Sequence, residues 1–380
     1  MSHAKAWNKR WYFLVGLVVL MVVGGAAWME RTPLLSWIYV RGLARADEGN
    51  QAVWVERVAG LDGAAMPGLV ELLNQDDARV CGNAQAALSV LSNRWNADDP
   101  RRQELARRLA DGFPRFSQVG QGSALKVATS WLTVHTTAQP TTQGTMRACA
   151  RLLQEAARVS GSEAHAAGLD LAAKLLAHTH DAEMIKPCQD LTIACFQDAE
   201  ADNRSRAVEL ALNPNLDLAK PAAALLNDSA PEVRRGALLA VGVAKDAVMT
   251  DDLLPWLHDS DAEVRRLCEL ELRERGLQDD QMLLGRLITD PSAKKRVGVL
   301  DYLHSSGNGN LDAAVWLRHL SHDPAPEVRF AAIRAIKEGG LDELNDRIDQ
   351  MARNDPSPTI CDFARRCLNS HGKAKPISVP

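Results

Sequence analysis

The sequence predicts an all-α fold, a solenoid of short helical hairpins preceded by one transmembrane helix, and three observations carry that reading. Hydrophobic residues fill 46% of the 380 positions while aromatics reach only 5%; Ala and Leu dominate the apolar set, which suits closely packed helices rather than β-sandwiches. An uncharged stretch runs from Trp11 to Met29. Through the second half of the chain an aspartate recurs every 30 to 33 residues in a similar setting.

The apolar stretch comes first in the chain. Its 19 residues follow Lys5, Lys9 and Arg10 and precede Glu30 and Arg31. As a helix they would extend roughly 28 Å, close to the hydrocarbon thickness of a bilayer. Trp11 and Tyr12 at one end and Trp28 at the other suit the two headgroup levels. The expectation is therefore a membrane anchor at Trp11–Met29. The tight basic cluster and short tail place the N-terminus in the cytoplasm and the repeat body outside it, as a single-pass membrane protein. The same residues also fit a cleaved signal peptide, with Gly25, Ala26 and Ala27 as small residues before Trp28.

The repeats are read from columns. Asp198, Asp228, Asp259, Asp290, Asp323 and Asp355 lie 30, 31, 31, 33 and 32 residues apart, and their surroundings align without a gap. Leu225, Trp256, Leu287 and Leu320 close one helix three residues before an aspartate. Pro231, Pro326 and Pro358 then suit the first position of the next helix, with Asp261, Ser292 and Ser357 at the N-cap place. Glu232, Glu263 and Glu327 in the first turn complement the helix dipole. Nine residues after the aspartate stands Ala207, Ala237, Cys268, Val299, Ala332 or Ala364, and four further on an apolar residue, so each second helix carries one apolar stripe. Six residues after the aspartate stands Arg204, Arg234, Arg265, Arg296 or Arg329, a column that breaks only at Cys361. Recurring Asp and Arg can form a structural ladder of hydrogen-bonded charges along the stack.

On these residues the chain resembles the HEAT-repeat family, particularly the short bacterial HEAT-like repeats also found in phycobilin lyases, whose turn-plus-helix pattern is D-x-x-x-x-V-R-x-x-A. Asp228, Val233, Arg234 and Ala237 match it, as do Asp323, Val328, Arg329 and Ala332; Asp259, Val264 and Arg265 match with Cys268 in the alanine place. The last repeat departs, with Ile360 and Cys361 for Val and Arg. The resemblance covers Asp198 to Leu368 and implies a scaffold that binds a protein partner along the concave side of its stack. Its alternative implication comes from HEAT-like relatives that hold a di-iron centre through His-Glu pairs and modify a protein. This chain has no His-Glu dipeptide, only His180-Asp181, His258-Asp259 and His322-Asp323, with His319 one turn before His322.

Towards the N-terminus the pattern fades. One divergent repeat is expected around Leu69–Leu91, helices at Met146–Val159 and Ser162–His178, and loops at Asp111–Gly122 and Thr136–Gly144. The expected organisation is a basic tail over 1–10, the anchor over 11–29, a juxtamembrane helical segment over 30–60, divergent helical repeats over 61–197, HEAT-like repeats over 198–370 and a flexible tail over 371–380.

Charge and motifs narrow the function. A formal net charge of −4 with both signs dispersed offers no broad basic surface for a phosphate backbone, so no nucleic acid is expected. The seven cysteines form no CxxC pair and read as small apolar core residues. No HExxH, GxSxG, phosphate-binding loop or dinucleotide fingerprint occurs. Neither cofactor nor metal is expected, and an enzyme is not. The run Arg101, Arg102, Arg107 and Arg108 reads as a solvated helix face, or as a contact for acidic protein or lipid headgroups.

Overall fold

Short runs of Ala and Leu broken by capped turns fold into helical hairpins. The computed structural model describes residues 31–133, 142–305 and 313–369, which are helices and turns with no strand among them. The chain divides into two compact units, Met1–Leu225 and Leu226–Pro380.

In the first unit, helices Arg31–Ala44 and Gln51–Ala59 lead into four hairpins: Met66–Leu72 with Ala78–Asn93, Pro100–Gly112 with Gln118–Thr133, Gln143–Ala156 with Ser162–Leu176, and Ala182–Cys195 with Ala201–Ala211. The first helices of successive hairpins pack on one another, and so do the second helices, which gives two layers with the core between them. Fully buried Leu69, Leu88, Leu105, Leu125, Leu152 and Leu171 fill that core. The buried Asn83 amide donates to the Leu43 and Ala46 carbonyls at 2.9 and 3.1 Å, which fastens the Arg31–Ala44 helix end to the first hairpin. Close approach of the layers needs glycine at one point in particular. A Cβ on Gly120 would run into the Leu73 carbonyl, which already accepts from the Ser117 amide.

The Asp111–Gly122 segment is not the loop its composition suggested. The Pro100–Gly112 helix passes through a 3-10 turn at Phe113–Arg115 into the helix that starts at Gln118. Buried Phe113 and Phe116 pack edge to face there, which turns a Gly- and Pro-rich stretch into a fixed corner. Thr136–Gly144 lies mostly outside the described residues.

The second unit repeats one turn. Its second helices are Pro231–Val243, Ala262–Glu274, Ala293–Ser305, Pro326–Glu338 and Pro358–Asn369. Three begin at the prolines expected there, and Asp261 caps the second of the five by accepting from the Glu263 and Val264 amides. The first helices are shorter; the segments ending at Asn227 and His258 close as 3-10 turns. Ala237, Val241, Cys268, Leu272, Val299, Ala332, Ile336 and Ala364 are buried along the apolar stripe.

The expected membrane anchor requires a correction. Among the described residues no helix is long and apolar enough to cross a membrane. Even Ala78–Asn93 and Gln118–Thr133 have only 16 residues, whereas a span needs about 20 apolar ones, and each devotes a face to the core. The described residues thus form all-α helical repeats with no transmembrane helix among them. No described helix therefore supports the expected single-pass localisation, with cytoplasmic tail and extracytoplasmic body, or the membrane as a partner. Trp11–Met29 itself lies outside the described residues.

Candidate functional site

From Asp198 onward each repeat turn is built around one carboxylate. Oδ1 of Asp198, Asp228, Asp259, Asp290, Asp323 and Asp355 accepts the amide two residues on, at 2.7 to 2.8 Å. This closes an Asx-turn that aims the following helix. Six residues later an arginine reaches back. Nη1 of Arg204, Arg234, Arg265, Arg296 and Arg329 donates to the aspartate carbonyl and to the next one, at 2.6 to 3.1 Å.

The other edge of the guanidinium faces forward to the next repeat. Arg234 holds Asp259 through Nε and Nη2 at 2.8 and 2.7 Å, Arg296 holds Asp323 at 2.6 and 2.8 Å, and Arg329 holds Asp355 at 2.9 Å twice. These are bidentate pairs out of water: the exposure of the six side chains runs from 2% to 11%. Arg265 does not continue the series. Its guanidinium stays on the two carbonyls, and Asp290 takes Lys295 Nζ instead, at 3.1 Å.

The electrostatics follow the geometry. Burial raises the Asp259 and Asp355 carboxyls, but the arginine hydrogen bonds and the turn amides outweigh it, so both lie below the ordinary carboxylate value. Asp290, held first by the Ser292 amide, also lies low. Hydrogen bonds to their carboxylates raise Arg234, Arg296 and Arg329.

Three further residues occupy the arginine column. His165 stands fourth in the Ser162–Leu176 helix, as Arg234 does in Pro231–Val243. Its Nε2 meets the Val159 carbonyl at 2.8 Å, six residues back, and its Nδ1 meets Asp198 Oδ2 at 2.5 Å. Both contacts of a ladder arginine are thereby reproduced by a ring 4% exposed. Both partners present oxygens, and the tautomer sets which ring nitrogen donates. Cys81 and Cys361 stand at the same place and direct Sγ at the carbonyls of Gln75 and Asp355, at 3.1 and 3.3 Å, again six residues back.

The sequence could have located these residues through the small residue three positions later. Ala84, Gly168 and Ala364 are buried there, as Ala237 and Ala332 are after their arginines.

The remaining candidate side chains are spread apart. Nε2 of His258 meets the Arg286 carbonyl and Nδ1 of His322 the Arg318 carbonyl; His180 is exposed. Among the described residues no group of three His, Cys, Asp or Glu could hold a metal. The basic run is largely neutralised locally: Arg101 pairs with Asp99 and Asp62, Arg107 with Glu104 and Asp111, and Arg108 with Glu104. Arg102 is buried and donates to the Ser92 carbonyl, with Nε unbonded.

No family model matches this chain, and no curated protein does. Solved structures similar to it include an engineered protein, 15% identical, with 90% of this chain and 94% of that one covered at a TM-score of 0.35. Another is a designed armadillo repeat protein, 17% identical, with 63% and 98% covered at 0.22. Likenesses this distant add nothing to what the helices themselves establish.

Proposed function

We propose that this chain is a HEAT-like scaffold that binds a protein partner along the outward face of the second helices in its C-terminal unit. The supporting observation is a repeated exposure of apolar side chains. Leu239 and Leu270 each stand eleven residues after a turn aspartate, on neighbouring packed helices, and are 48% and 46% exposed. Val243, one turn beyond Leu239, is 65% exposed. Arg235 and Arg266 occupy the same helix face four residues earlier, so apolar and basic groups alternate along it. Such a surface suits a partner that buries leucines within a charged rim.

Photo-crosslinking tests this directly, with the reactive residue placed at 239 or 270 and, as a control, at 353 on a first helix. The expected result is a discrete protein adduct from 239 and 270 that is lost when the other leucine is changed to aspartate. Adducts from all three positions alike, or none, would contradict the proposal.

A further inference from the structure

At the last turn of the C-terminal unit lies an open cleft of about 340 Å³ whose lining includes Arg329, Arg347, Gln350, Asn354 and His322. Its charges do not balance. Its lining holds the guanidiniums of Arg329 and Arg347 and the carboxylates of Asp323 and Asp355, but Asp323 is taken by Arg296 from outside the lining and Asp355 by Arg329. Arg347 is only 9% exposed, yet no carboxylate lies within ion-pair distance of it among the described residues. Nε donates to Ser321 Oγ at 2.8 Å, Nη2 to the Ser321 carbonyl at 2.7 Å and Nη1 to Gln350 Oε1 at 2.7 Å. A guanidinium has five donors, so two remain, and the exposed Gln350 can be displaced. Burial holds the Arg347 pKa below the usual arginine value, and the charges of Asp355 and Asp346 offset this only in part.

We propose that this cleft is a carboxylate-binding site, in which Arg347 receives the ligand through its two remaining N–H groups and Gln350 and Asn354 supply the amides around it. Planar carboxylate matches the guanidinium fork and completes the missing charge. The carboxylate can belong to a small dicarboxylic acid or to an acidic side chain of a peptide; the site does not depend on the partner face at Leu239 and Leu270.

Isothermal titration of the full chain at low salt with glutarate, acetyl-tetraglutamate amide and inorganic phosphate separates the cases. Saturable binding of glutarate or the peptide is expected, and whichever is tighter names the source. Arg347→Gln should weaken it at least tenfold. Since that change is in a buried residue, the surface variant Gln350→Glu is the second test: an internal carboxylate beside Nη1 should abolish binding and raise Tm. Arg318→Gln, which removes a neighbouring exposed charge, should change binding less than twofold. No saturable binding, phosphate binding tighter than either carboxylate, or undiminished binding in folded Gln350→Glu would overturn the proposal.

Discussion

Residues in the arginine column do two jobs with one side chain, closing their own turn and gripping the next. Removing one partner of a buried pair leaves the other unpaired, which costs about 3–5 kcal/mol. Arg329→Ala should therefore lower unfolding free energy in urea by that order, whereas exposed Arg353→Ala, whose pair with Asp349 is solvated, should change it by less than about 0.5 kcal/mol. Similar losses from both would contradict the assignment. The pH dependence has a definite sign. For Asp259 and Asp355, whose folded pKa values lie low, stabilisation is complete above the ordinary carboxylate range near pH 4, by about one unit, and fades as pH falls through the folded values. Tm should fall on acidification, and less steeply in Asp259→Asn; an equally steep fall in that variant would contradict the pairing. The thiols carry a third expectation. Burial pushes Cys149, Cys188, Cys195 and Cys268 up to about 12, so iodoacetamide at pH 8 should label Cys367, which is partly exposed, well before them. Mass spectrometry of the native chain checks this, and equal labelling would contradict it. Asp228 through Asp355, and the arginines that follow the first four of them, could be picked out because the columns recur at nearly constant spacing. His165 was not, because imidazole and guanidinium look unrelated until the Val159 and Asp198 contacts place them in one role.

Helices are the next scale, and their starts were easier to read than the gaps between them. Pro231, Pro326 and Pro358 open helices because proline suits the first turn. Asp261→Ala should cost about 1 kcal/mol through loss of the cap to the Glu263 and Val264 amides, measured by urea unfolding; no loss would mean the cap is dispensable. The Asp111–Gly122 reading failed for a physical reason. Gly112 and Gly120 are small for packing rather than for flexibility, since Phe116 and the Leu73 carbonyl occupy the space beside them. Gly120→Ala should accordingly destabilise by about 1–3 kcal/mol, an overpacking cost, although alanine is the better helix former. A stabilised variant would show that the layers are not so closely apposed.

At the scale of the whole molecule, the hairpins of each unit bury their apolar stripes against neighbours, and those of the second unit carry bidentate ion pairs at the turns. Repeat number in the first unit was hidden from the sequence by length. Turn positions Gln75, Val159 and Asp198, each six residues before Cys81, His165 and Arg204, do not keep the near-constant spacing found after Asp198, and no acidic residue marks Val159. In the second unit the punctuation survives, so its architecture could be read directly, while the exposed leucines of its outer face could be recognised only once burial was known. A double-mutant cycle on Arg296 and Asp323 asks most directly whether adjacent repeats are coupled through these turns. With Arg296→Met and Asp323→Leu, urea unfolding should show a loss of about 3–5 kcal/mol for each single change and recovery of much of it in the double, because two apolar side chains leave no buried charge behind. Losses that simply add would contradict a coupling carried by the pair.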